Sequence, residues 1–401
     1  GEIMANTNLI NDIVLPDSMV TFRNNSVITN AIRPHYDDTY EFHGAKAGQS
    51  INLRTHQEFT VRTDSLNIDV QDVEQKSVAL TRSKIFGVDF RYTDAELTQD
   101  VDGFMEYRVA PAMATLAAKV DQYVYETVSD GVNQGVALPV TNIDSDDILN
   151  AGVQLDLASA PRDGQRTVVL NPKGMKQIVS SSSGLFNNAT NISQQYNDGI
   201  VKVDSLGFKF GMSQNVSTHT TGGYDANYDV ATVPSSGDTT LDVDTGTGTI
   251  KKGDIFTIAG VNSVDKLTKA DTGELAQFVV TADSAGGTVT LAMTPAIISE
   301  GQYQNVTALP ALNDAIVFLG TASTAYPQAL AFHPDFAAVG FCDLVMPTDK
   351  GVVGARKAED GISMRCLTGF DILTSQQYIR FDVLMGAVVV EPSMASRIYT
   401  P

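Results

Sequence analysis

Tryptophan is absent from this 401-residue chain, cysteine occurs only twice and histidine five times. No apolar run approaches the roughly 20 residues that a membrane-spanning helix needs. Cys342 and Cys366 cannot build a disulfide framework, and neither lies in a CxxC or near a histidine at metal-ligand spacing. A reducing compartment is their simplest setting, with one late disulfide left open. Basic residues are also scarce: 27 Lys and Arg stand against 47 Asp and Glu, a formal charge of −20. Such a surface repels phosphate backbones and anionic lipid, which argues against sequence-specific nucleic-acid binding. The N-terminal stretch lacks a basic flank and apolar h-region, so no secretory signal is expected, and Met4-Ala5-Asn6 resembles a natural start.

What is present is a chain able to fold. Apolar residues make up 43%, ordinary for a soluble globular protein, and the length predicts two or three domains. The strongest helical signal runs from Phe104 to Asp130. Met113, Leu116, Ala117, Val120, Val124 and Val128 recur at three- and four-residue steps on one face. Lys119, Asp121, Gln122 and Glu126 are expected largely on the other. Pro111 suits a first turn, and Gly131 supplies a stop by accepting a left-handed conformation.

Residues 4–45 are polar and irregular, with room for one short helix; they read as an arm that orders against something else. From Gln49 the period changes to alternation. Ile51 with Leu53, Val78 with Leu80, and Val88 with Phe90 predict strands. Between the first two pairs lies a charged run containing Arg54, Arg62, Asp64, Asp69, Asp72 and Lys76, which reads as a two-stranded flap with no core of its own. Thr93 or Asp94 is a candidate N-cap. A further helix should begin at Asp144 or Ser145, a strand should occupy Arg166–Pro172, and a helix Lys173–Ser180. Ser180–Ser193 reads as loop and Leu206–Met212 as a strand. Near Thr218 helical periodicity gives way to Gly, Thr, Asp and Val. Short strands at 240–243, 255–258, 276–280, 289–292 and 316–319 then predict a small β-barrel or sandwich inserted into an α+β host. Helix-compatible sequence resumes at Ala331–Ala338, and an antiparallel pair, 362–368 with 378–391, ends the chain.

Catalytic patterns are sought and not met. Gly44–Ser50 lacks the Gly-Lys pair of a phosphate loop. Gly211–Asn215 ends in Asn where a nucleophile elbow needs Gly. Asp242-Val-Asp244-Thr-Gly246 hints at a calcium loop, but Gly253 stands where a bidentate Glu is required. Asn142–Asp147 reads as helix capping, and His333 before Pro334 as a strand-end or capping residue. No enzyme, metal or cofactor is expected.

Several of these segments together resemble the major capsid proteins of tailed bacteriophages with the Hong Kong 97-type fold, in the podophage form that carries an insertion domain. The resemblance rests on Ala110-Pro111 leading into the long helix to Gly131, Arg166-Thr-Val-Val-Leu-Asn-Pro172, Leu206-Gly-Phe-Lys-Phe210, Lys251–Val261 and Tyr378–Leu384. It implies an N-terminal arm at 1–45, an extended loop at 46–92 and a peripheral domain with spine helix at 93–139. An axial domain would take 140–221 and 319–360, an inserted β domain 222–318, and closing strands 361–401. The implied function is self-assembly of hexamers and pentamers into an icosahedral shell around double-stranded DNA, without sequence-specific binding. Scaffolding and portal proteins, and a decoration protein, are the expected partners; no membrane is involved, and assembly would occur in the bacterial cytoplasm. The six charged flap residues are the candidate subunit-interface set. Acidity fits this role, since a container must not stick to its contents. A secreted β-rich adhesin or surface-layer protein is the competing reading.

Overall fold

The computed structural model describes residues 14–37, 50–61, 75–82, 84–93, 105–136, 142–181, 204–347, 353–374 and 376–400. The chain divides into two compact units, one comprising Gly1–Leu53, Val78–Tyr125 and Ala338–Val388, the other Arg54–Ser77, Glu126–Ala337 and Val389–Pro401.

The first unit is built on a six-stranded sheet in the order 33–37, 337–342, 376–389, 362–371, 353–359, with 84–93 paired to the 376–385 half of the long strand. The outermost strand, Arg33–Asp37, runs parallel to its neighbour, with Arg33 opposite Ala338. Among the described residues the arm region holds two helices where one was expected, α1 (Leu15–Asn25) and α2 (Ile28–Ala31). Leu15, Met19, Phe22 and Ile28 are buried, so this stretch packs against other parts of the chain. Thr93 is the last residue of the 84–93 strand, and Asp94 with the helix expected after it falls outside the described residues.

The long helix, α3 (Ala110–Ser129), follows a π turn at Met105–Val109, and Pro111 sits in its first turn as expected. Met113, Leu116, Ala117, Val120 and Val124 are buried along one face. Asp121 corrects the periodicity argument: it too is buried, because its carboxylate accepts the Val27 N–H at 2.5 Å, the Thr29 N–H at 3.2 Å and the Thr29 hydroxyl. The helix therefore caps α2 from the side. Burial raises the Asp121 pKa above the usual carboxylate range, outweighing the opposing hydrogen bonds.

The return strand below the flap is fixed by close backbone approach. A Cβ on Gly386 would lie 2.1 Å from the Thr81 carbonyl oxygen, and one on Gly340 would lie 2.6 Å from Leu80 Cδ2. Only glycine leaves that space.

In the second unit, a seven-stranded sheet runs 134–136, 395–399, 325–332, 167–170, 208–212, 204–205, with 218–220 also paired to 325–332. Helix α4 (Ser145–Leu157) opens on the expected capping box. Asp144 accepts from the Asp146 and Asp147 N–H groups, and Asp147 accepts the Asp144 N–H. Helix α5 (Pro172–Ser181) follows the 167–170 strand. Gly131 follows the long helix without the expected left-handed backbone, and the position needs glycine for another reason: a Cβ there would meet Val389 Cγ2 at 2.8 Å. Ala331–Ala338 is not helical. It forms the end of one strand, a 3-10 turn at Pro334–Phe336 and the start of the next strand. Both strands are buried, and sheet pairing on each side outweighs alanine's helix propensity. His333 accepts the Asp335 N–H and caps that turn.

Residues 229–318 form this unit's second sheet, antiparallel throughout, in the order 229–230, 238–244, 289–297, 271–280, 255–264, 316–318. Its two end strands meet: the Ile316 N–H donates to the Tyr228 carbonyl at 2.8 Å and the Val230 N–H to the Asp314 carbonyl at 3.0 Å. Leu241, Val243, Ile258, Val280, Leu291 and the rings of Tyr228, Phe256, Phe278 and Phe318 fill the interior. Gln277 ties this sheet to the 134–136 strand. Its side-chain amide accepts the Gly135 N–H at 2.7 Å and donates to the Gly135 carbonyl at 3.1 Å, as a paired strand would.

Candidate subunit-contact site

The flap's described part is a two-stranded pair, Ser50–Arg54 with Ser77–Thr81, continued by residues 55–61 and 75–76. Of the six charged residues singled out in the sequence, Arg54 is exposed at the end of the outgoing strand and Lys76 is exposed just before the return strand. The two are near each other in the chain's path, since the Thr55 N–H donates to the Lys76 carbonyl at 3.1 Å. Arg62, Asp64, Asp69 and Asp72 lie outside the described residues.

The same segment carries residues that the charge pattern hid. Phe59 is 55% and Val61 83% exposed, two large apolar groups on the outgoing leg of the flap. Their interruption of a polar run was the available signal. Glu58 is the other omission: its carboxylate accepts from Lys269 Nζ at 2.5 Å. Lys76 Nζ rests 3.6 Å from the centre of the Tyr303 ring.

A second apolar projection lies in the first unit, at the turn joining the 362–371 and 376–389 strands. Ile372 is 84% and Leu373 95% exposed. The turn is built, not slack: Asp371 accepts the Leu373 N–H at 3.0 Å and the Thr374 hydroxyl at 2.7 Å, and these bonds hold its pKa below the ordinary range, the hydroxyl contributing most. A defined turn that lifts two aliphatic side chains into solvent is suited to a partner surface.

Ionisable groups elsewhere serve structure. Asp254 accepts from His219 Nε2 at 2.7 Å, the Lys251 N–H at 2.8 Å and the Gly222 N–H at 3.1 Å, pinning a turn to the neighbouring strand. A shallow cleft beside the end of α4 includes Asp156 and Asp265, but both carboxylates already have partners. Asp156 pairs with Arg162 and Arg166, and Asp265 accepts from Ser159 and Thr268. Among the described residues, no group of three or more His, Cys, Asp or Glu could hold a metal ion. Cys342 and Cys366 are both buried and free, and burial pushes the Cys366 thiol up to about 12. No described helix is long and apolar enough to cross a membrane.

The sequence matches the family described as P22 coat protein, gene protein 5, over residues 4–397. The chain belongs to the P22 coat protein family. It is a major capsid protein, a builder of the icosahedral shell; its place is the virion, and it assembles with copies of itself. Family and fold are structural rather than enzymatic. Among solved structures the chain is similar to a protein of Mycobacterium phage Che8, at 14% identity over 93% of this chain and 90% of that one, with a TM-score of 0.47. It is similar to the virus-like particle of Pyrococcus furiosus at 10% identity over 96% and 98%, with a TM-score of 0.42. The CUS-3 coat protein I-domain matches 24% of this chain and 98% of its own at 29% identity, with a TM-score of 0.20. No curated protein matches the chain. The adhesin or surface-layer alternative gains no support.

Proposed function

We propose that this coat protein closes its shell by laying the flap and the 370–374 turn against neighbouring copies, in hexamers and pentamers around double-stranded DNA. The observation that carries this reading is the exposure of Phe59, Val61, Ile372 and Leu373 on two projections that have no core of their own. Isolated exposed aliphatics are ordinary; pairs of them on built projections are the kind of surface that a partner covers. Each contact is modest, and a shell gains strength by repeating many of them. Residues 222–318 act as an inserted β-barrel domain: their interior is filled by their own side chains and their end strands are hydrogen-bonded together. Flap charges, including Arg54 and Lys76 with Arg62, Asp64, Asp69 and Asp72, set register between copies. With 47 acidic against 27 basic residues, the chain tolerates DNA nearby without sequence-specific binding. Scaffolding, portal and decoration proteins are its further partners, assembly takes place in the host cytoplasm, and the protein catalyses nothing.

Negative-stain microscopy of the overexpressed protein, alone and with its phage's scaffolding protein, tests the reading. Closed shells of uniform diameter are expected. Monomers or dimers under every condition would overturn it.

A further inference from the structure

We propose that the 229–318 barrel holds its own chain's flap in the posture from which it docks on a neighbouring copy, with Lys269 and Tyr303 as the positioning residues. The inference rests on the shell reading above and adds to it a device within one subunit.

Both legs of the flap are caught. Glu58 on the outgoing leg pairs with Lys269 Nζ at 2.5 Å, and that ammonium also reaches the Gln304 carbonyl at 3.4 Å. Lys76 on the returning leg stands over the Tyr303 ring. The Thr55 N–H to Lys76 carbonyl bond ties the legs to each other. The Lys269 and Glu58 side chains are only 14% and 22% exposed, so salt screens this pair less than an open surface pair.

The catching loops are stiff. In the 265–270 loop, Asp265 accepts the Leu267 N–H at 3.2 Å and the Thr268 hydroxyl at 2.8 Å, while the Lys269 N–H donates to the Asp265 carbonyl at 2.9 Å. Lys266 anchors the loop's other side, to Glu391 at 2.7 Å and Ser393 at 2.6 Å. Lys269 itself has φ +57°, a left-handed conformation that a lysine keeps only where its surroundings fix it. In the second loop, Asn305 accepts the Ile298 N–H at 2.9 Å and donates to the Ala296 carbonyl at 2.7 Å, bracing Tyr303.

The clasp leaves Phe59 and Val61 uncovered, immediately beyond Glu58. It therefore presents the apolar leg and does not sequester it. Ordering a core-less leg costs backbone entropy, and here that ordering precedes the encounter with a neighbour. Apparent affinity between copies falls in proportion to the fraction of subunits that hold the competent posture.

The test compares the whole chain with Lys269→Glu, Glu58→Lys and the double exchange. Amide hydrogen exchange over residues 55–61 is read in the unassembled subunit, and shell formation is followed by light scattering. Each single reversal is expected to speed exchange and slow shell formation about three- to ten-fold, and the double exchange to restore both. Lys269→Met, which keeps the stem and removes the charge, guards against a reversal that misfolds and is expected to shift both readouts in the same direction. Unchanged exchange in the single variants, or no rescue in the double, overturns the clasp. Faster exchange with parental assembly overturns its positioning role while the shell reading stands. A parent chain that never forms shells defeats the shell reading and this inference with it.

Discussion

The Asp121 carboxylate accepts the Val27 N–H at 2.5 Å, across 94 positions of sequence. A single acid in the middle of the long helix thus replaces the N-cap that α2 lacks in its own sequence, Val27 being unable to cap. Replacing it by alanine would strand two backbone donors and the Thr29 hydroxyl. Asp121→Ala is expected to cost about 1–3 kcal/mol and to loosen residues 27–31. Urea denaturation and hydrogen exchange read the two effects.

The same acid predicts a pH dependence. Its folded-state pKa is raised by burial above the ordinary carboxylate value, so the folded protein binds this proton more readily than the unfolded chain. The resulting contribution to stability is full below about 3.8 and is lost as pH rises through the folded-state value. Asp121→Asn has no such titration. The stability of the parent relative to Asp121→Asn should therefore fall across that window and stay level above it; a difference that is flat from acid to neutral pH would contradict the assignment.

Gly386→Ala sets a methyl group 2.1 Å from the Thr81 carbonyl oxygen, which is backbone and cannot swing aside. Overpacking of this kind costs about 1–3 kcal/mol. The predicted signature is local, with faster amide exchange at 77–82 and a lowered melting temperature.

Residues 222–322, expressed by themselves, should fold, because the interior of the closed sheet is supplied from within that range. Phe256→Ala removes a fully buried ring and should destabilise the isolated piece by about 3–5 kcal/mol. Circular dichroism with thermal melting checks both statements; an unfolded parent fragment would show that this sheet depends on the rest of the chain.

Ile372→Asp with Leu373→Asp changes two side chains that touch little of their own subunit. The melting temperature should stay within about 2 °C of the parent, while shell yield drops sharply. Sedimentation of the assembled fraction measures the yield.

Local patterns were legible in the sequence where neighbours along the chain decide the outcome. Asp144 announced a capped helix, the apolar steps from Met113 to Val124 announced a buried face, and alternation gave the strands at 50–54, 77–81 and 84–93. Legibility failed where distant segments decide. Asp121 belonged by periodicity to the wet side and is buried by a partner 94 residues away. Ala331–Ala338 has helix-forming composition, yet it pairs as strands because sheets supply its hydrogen bonds. The candidate site was half legible. A charged flap without a core could be located, but Glu58 meets Lys269 across 211 positions, a pairing that no local pattern encodes. Phe59 and Val61 were visible and masked by the charges around them.

Copies of this chain are proposed to close into a shell through the flap. Sedimentation velocity of the parent chain and of a variant lacking residues 54–76, each under assembly conditions, tests it most directly. The parent should sediment as closed shells and the deletion as folded monomers or small oligomers with a parental circular dichroism spectrum. Normal shells from the deletion would contradict the account.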